Sequence, residues 1–214
     1  MTCAPDRLVV MDVDSTLITA EVIDLLAARA GSAAEVAAIT ERAMRGELDF
    51  ARSLHERVAT LAGLPAAVLD EVRASLVLTP GARELVAGLA ERGWPLGLVS
   101  GGFGEVVGPL AASLGIERWE ANGLEVARAR LTGRVRGPVV DRAAKAAALR
   151  RWADELHVPP SRTVAIGDGA NDLEMLAGAG LGIAFNAKPA VRARADVAVD
   201  GRLDSILELP QLNA

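Results

Sequence analysis

The chain has a single cysteine, Cys3, among 214 residues. With no second thiol there is no internal disulfide, and nothing points to an oxidising compartment. No apolar run is long enough to span a bilayer as a helix, which takes about 20 residues. The longest uncharged stretch, Met175 to Ala187, is shorter and is interrupted by Gly178, Gly180 and Gly182. The start, "MTCAPDRLVV", lacks the basic segment, apolar block and cleavage site of a secretion signal. Positive charge is in deficit, with a net charge of -5, which argues against a nucleic-acid binder working through a broad basic face. Only two histidines are present, His55 and His157, and neither stands where a strand ends. These absences lead us to expect a cytoplasmic protein with no membrane or nucleic-acid partner, either a monomer or a homodimer.

Apolar residues are plentiful, at 51%. Leu8–Val13, Pro95–Ser100, Thr163–Gly167, Gly182–Phe185 and Val197–Val199 are apolar on consecutive positions, as in strands covered on both faces. Helical patterns lie between them at Ala82–Arg92, Glu105–Leu114, Arg142–Glu155 and Asp172–Ala177. The alternation predicts an α/β fold, a Rossmann-like doubly wound parallel sheet. Residues 19–79 read as four helices without a strand. Gly31 is expected as a helix stop, Ser32 and Glu35 as a capping box, and Pro65 in a first helical turn. The expected division is a core of residues 1–18 and 80–214 with an inserted helical bundle at 19–79. "NGLEVARARLTGRV", residues 122–135, reads as a small hairpin appended to the core.

Ligands of open α/β sheets bind beyond the carboxyl ends of the strands. "LVVMDVDST" brings Asp12 and Asp14 there, and "AIGDGANDLEML" brings Asp168 and Asp172. Each acid alone reads equally as a turn residue or helix cap. Four at two strand ends would repel one another unless a cation joins them, and clustered carboxylates suit Mg²⁺. "LVSGGFGEV" offers Ser100, Gly101 and Gly102 before a helix, either as a plain glycine turn or as an anion site. Lys145 occupies the first turns of a helix, where the dipole disfavours a cation, so a surface position or an anionic partner is expected. Together the parts suit phosphoryl transfer with a carboxylate nucleophile.

"DVDST", Ser100, Lys145 and "GDGAND" occur in the order of the haloacid dehalogenase superfamily motifs, and the chain resembles that superfamily. Further stretches, "GELDFARSLHERVATLAGL", "LTGRVRGPVVD" and "GIAFNAKPAV" among them, resemble its phosphoserine-hydrolysing branch. The resemblance implies hydrolysis of O-phospho-L-serine, the last step of serine biosynthesis, through an aspartyl-phosphate. Alternatives are phosphotransfer to homoserine, or hydrolysis of another small phosphomonoester. It implies Asp12 as nucleophile and Asp14 as general acid, then base. Mg²⁺ would be held by Asp12, Asp168 and the Asp14 carbonyl, with Asp172 close by. Ser100, Gly101, Lys145 and Asn171 would hold the phosphoryl group. Glu21 would meet the substrate ammonium and Arg57 its carboxylate, with Met44 and Phe50 lining a lid made by the helical insert. Some superfamily members carry an extra N-terminal region, and this chain is expected to work without one.

Overall fold

The computed structural model describes residues 4–213, so Cys3 lies outside them. Among these residues seven strands form one sheet: β1 (Leu8–Met11), β2 (Leu96–Phe103), β3 (Arg118–Ala127), β4 (Arg130–Arg136), β5 (Thr163–Gly167), β6 (Leu181–Phe185) and β7 (Val197–Val199). Their order is β4-β3-β2-β1-β5-β6-β7, parallel except where β4 runs antiparallel to β3. Chain order reverses direction at β1, with β2 on one side and β5 on the other. Their carboxyl ends therefore frame a crevice, the usual ligand position in this architecture.

The consecutive apolar runs have a simple cause. Val9, Met11, Leu98, Val164 and Ile166 enter one core, with Leu85 and Leu89 of α5 (Ala82–Glu91) and Val106 and Val107 of α6 (Gly104–Ser113). Leu8, Val10, Val99 and Ala165 enter the other, beneath Leu149 and Trp152 of α7 (Arg142–Glu155) and Met175 of α8 (Leu173–Gly178). Neighbouring residues of one strand face opposite layers, and both faces of the sheet are covered. Each buried leucine or valine contributes about 1.5–3 kcal/mol. No helix among the described residues is long and apolar enough to cross a membrane.

Between β1 and α5 lie α1 (Val22–Ala30), α2 (Ala33–Met44), α3 (Phe50–Ala59) and α4 (Val68–Ser75). Gly31 stops α1 in the left-handed conformation at φ 74°, as its lack of a Cβ allows. Leu26, Val36, Leu54, Val58 and Val72 join these helices to the first core.

Three local expectations need correction. Ser32 does not cap α2 through its side chain; it accepts a hydrogen bond from Thr60 Oγ1 at 3.1 Å instead. Pro65 does not open a helix. Its neighbours pair with the β3–β4 hairpin, Leu131 N–H donating to Leu64 at 2.9 Å and Ala66 N–H to Ala129 at 2.9 Å, which delays α4 to Val68. The hairpin itself is not an appendage. β3 begins at Arg118 and pairs in parallel with β2, so it extends the main sheet. The charges of Arg118 and Glu120 disguise that strand in the sequence.

Candidate active site

β1 ends at Met11, and Asp12 follows, its N–H donating to Ile166 of β5 at 3.0 Å. The chain then makes a wide turn, Val13–Leu17, with Asp14 extended and Ser15 left-handed at φ 60°. A positive φ is strained for a residue other than glycine, and such strain concentrates at functional sites. Other contacts anchor the turn: Thr79 Oγ1 donates to the Thr16 carbonyl at 2.7 Å, and Thr79 N–H to Leu17 at 2.9 Å. Ser15 Oγ donates to Glu21 Oε1 at 2.9 Å, while Thr16 Oγ1 donates to Asp168 Oδ1 at 2.9 Å.

Asp12 and Asp14 are both buried. Lys145, the fourth residue of α7, is fully buried, and its Nζ donates to Asp12 Oδ1 at 2.5 Å and to Asp172 Oδ1 at 2.7 Å. Two carboxylates thus explain a cation near a helix N-terminus, where the dipole alone would disfavour it. Asp172 also accepts from Gly169 N–H at 3.0 Å, which closes the β5–α8 turn. Asp12, Asp168 and Asp172 each offer one oxygen, all within 4.8 Å of one another.

The electrostatics are unbalanced. Burial would lower Lys145, but Asp12 and Asp172 outweigh it and keep the ammonium charged. Burial raises Asp12 well above the carboxylate range in spite of Lys145, with Asp172 and Asp14 adding repulsion. Burial and Asp172 push Asp168 up to about 6, against the Thr16 hydrogen bond. Asp14 is pushed up to about 8 by burial and by Glu21, and its Oδ1 is buried without a partner among the described residues. One ammonium faces four acids. A divalent cation with oxygen preference fits this donor set.

The end of β2 supplies the facing wall. Ser100 is fully buried and its Oγ accepts from Gly102 N–H at 2.8 Å. A Cβ on Gly102 would stand 2.5 Å from Asp14 Oδ2, and one on Gly101 would stand 3.1 Å from Phe50 Cζ at the start of α3. Gly101 and Gly102 lie within the irregular end of β2 rather than in a turn, and α6 begins at Gly104, one residue before the expected Glu105.

The structure thus gathers Asp12, Asp14, Ser100, Lys145, Asp168 and Asp172 at three adjacent strand ends, with the Phe50 ring on the side of Gly101 where a Cβ would stand. Glu21 is exposed at the start of α1, within electrostatic reach of Asp14. Arg57 is half-buried on α3 and donates to the Ser53 carbonyl at 3.3 Å; burial lowers it, while Glu21, Asp24 and Asp14 act in the opposite sense. Asn171 folds back over Gly169, and Met44 is 71% exposed at the end of α2 on an open groove with Asp24 and Thr40. Thr16 ends the "DVDST" motif read in the sequence, with no role assigned to it there; Thr79 and Asn122 were passed over, and nothing local singles them out.

Comparison with known proteins agrees with this geometry. The chain is 60% identical over 204 residues to a phosphoserine phosphatase of Streptomyces coelicolor, covering 95% of this chain and 50% of that protein. A Mycobacterium tuberculosis relative, phosphoserine phosphatase SerB2, is 57% identical over 95% of this chain and 50% of its own length, so the chain spans about half the length of both. A solved phosphoserine phosphatase carrying a phospho-aspartyl intermediate analogue superposes with a TM-score of 0.89 at 40% identity, over 95% of this chain and 98% of that one. The haloacid dehalogenase-like hydrolase profile matches residues 9–177, through β1, the helical insert, β2, Lys145 and both acids of the β5–α8 turn. With that match spanning most of its length, the chain belongs to the haloacid dehalogenase-like hydrolase family.

Proposed function

We propose that the chain is a Mg²⁺-dependent phosphatase hydrolysing O-phospho-L-serine to L-serine and phosphate through an aspartyl-phosphate on Asp12. The observation that carries this reading is the convergence of Asp12, Asp168 and Asp172 at adjoining strand ends, with Lys145 bridging Asp12 and Asp172. The names of the relatives support the choice of substrate.

Asp12, Asp168 and Asp172 would hold Mg²⁺ with the Asp14 carbonyl. When bound, the ion supplies positive charge against the phosphoryl oxygens. Lys145 and the Ser100 hydroxyl hold the same group, assisted by Asn171. An Asp12 oxygen attacks phosphorus and the bond to the serine oxygen breaks. Asp14, whose buried Oδ1 has no partner among the described residues, gives its proton to that leaving oxygen. Asp14 then takes a proton from water as the water oxygen attacks phosphorus, which releases phosphate and restores the Asp12 carboxylate. Two charged groups of the insert suit a zwitterion: Glu21 for the ammonium and Arg57 for the carboxylate. Residues 19–79 act as a cap over a core of residues 1–18 and 80–214, with Phe50 meeting Gly101 and Met44 at the rim. We place the reaction in the cytoplasm, at the end of serine biosynthesis.

The test is phosphate release from free phosphoserine, with and without Mg²⁺, beside a panel of sugar and nucleotide monoesters and with homoserine as a competing acceptor. Mg²⁺-dependent release favouring phosphoserine is expected. Equal turnover of the whole panel, or phosphohomoserine as main product, contradicts the reading.

A further inference from the structure

We propose that Asn122 is a positioning residue for the phosphoryl-binding loop, setting the Gly101–Gly102 peptide so that the Ser100 hydroxyl is free to donate to substrate. The inference rests on the phosphatase reading above and deepens it. The pairing of β2 with β3 runs regularly to Ser100 opposite Ala121, and the next pair is Phe103 opposite Asn122. Gly101 and Gly102 therefore bulge from the ladder between consecutive β3 residues, and the sheet provides their peptide with no partners. The Asn122 side chain takes over. It is fully buried, and its Nδ2 donates to the Gly101 carbonyl at 2.7 Å. Its Oδ1 accepts from Val140 N–H at 2.8 Å. A carbonyl on one side and an N–H on the other admit only one orientation of the amide, so the side chain is locked at both ends.

The carbonyl that Asn122 holds belongs to the same peptide group as the Gly102 N–H. That N–H points the opposite way and donates to Ser100 Oγ at 2.8 Å. Because peptide groups are planar, fixing the carbonyl fixes the N–H. Ser100 Oγ thus has one acceptor site filled by a backbone donor, and its own proton must be directed elsewhere. The glycine at 102 matters for the same reason: a Cβ there would stand 3.0 Å from Ser100 Oγ. Without Asn122 the peptide is free to rotate, and the Gly102 N–H no longer holds the hydroxyl in its donating orientation. The Asn122 side chain hydrogen-bonds Gly101 and Val140 rather than Asp12 or Lys145, and acts through Ser100.

The experiment compares wild type, Asn122→Leu, Ser100→Ala and the double variant with Mg²⁺ present, measuring inorganic phosphate binding by calorimetry, L-serine binding, and kcat and KM for phosphoserine. Asn122→Leu should weaken phosphate binding about tenfold, the scale of one lost hydrogen bond, and leave L-serine binding unchanged. In the Ser100→Ala background the same change should cost no more than about twofold, because groups acting as one unit are not additive. Additive losses, or equal weakening of phosphate and serine, overturn the proposal. Asn122→Ser, whose single oxygen is too short to bridge Gly101 and Val140, is the second variant. If both fail to fold, Asn122 is a structural residue and the assignment is wrong. A wild type that binds phosphate but does not hydrolyse phosphoserine refutes the substrate reading alone; one that binds no phosphate refutes both.

Discussion

Replacing Lys145 by methionine tests the electrostatic balance of the site. The substitution keeps a long unbranched side chain and removes the ammonium. In the metal-free protein it leaves Asp12 and Asp172 buried with no counter-charge, since Lys145 Nζ is their shared partner. Breaking a buried ion pair from one side costs about 3–5 kcal/mol. For a chain of this length each kcal/mol lowers Tm by about 2–4 °C, so Lys145→Met should melt about 6–20 °C below wild type. The assay is thermal unfolding by circular dichroism after chelation, at about pH 8, where protonation relieves Asp12 less than it does in acid. The gap should narrow towards about pH 5, as Asp12 escapes by taking up a proton, and should narrow again when Mg²⁺ is restored. Turnover should fall by about 10²–10³ even where the variant is folded. A shift within about 2 °C of wild type in the metal-free protein, on the same size scaling, would show that Lys145 is not offsetting buried negative charge.

Gly102→Ala would drive a Cβ to 2.5 Å from Asp14 Oδ2, so it should displace that carboxyl and cut kcat at least about tenfold while Tm changes by only a few degrees. Asp14 and Asp168 have folded-state values pushed up to about 8 and about 6, so the stability they contribute is present below about pH 4 and is lost as pH rises through those values. Metal-free wild type should therefore lose stability between about pH 5 and pH 8 more steeply than Asp14→Asn, read from Tm against pH. Arg57→Lys replaces a planar fork by a point charge; KM for phosphoserine should rise about tenfold or more, with little change for a monoester lacking a carboxylate.

Some of this was legible in the sequence because one physical cause dominated. Leu8–Met11 and Val164–Gly167 are packed on both faces, so they carry no polar side chain and the acids beyond them stand out. Lys145, set against the dipole in an alanine-rich helix, signalled a partner before Asp12 and Asp172 were known to be that partner. Other features depend on competition between distant segments, which no local pattern records. Ser32 and Glu35 satisfy a capping rule, yet Thr60 takes the serine hydroxyl. Pro65 suits a helix start, yet the hairpin claims the backbone on either side of it. Asn122 drew no reading of its own because its two partners, Gly101 and Val140, lie 21 and 18 positions away in the chain.

The central claim is that the Asp12 carboxylate carries the phosphoryl group during turnover. Acid quenching of enzyme mixed with phosphoserine, followed by borohydride reduction and peptide sequencing, reads this directly, since reduction of an acyl-phosphate turns the aspartate into homoserine. Homoserine at position 12, absent without substrate and absent in Asp12→Asn, is the expected result. Homoserine at Asp14 or Asp168, or an Asp12→Asn variant that still turns over, would contradict the account.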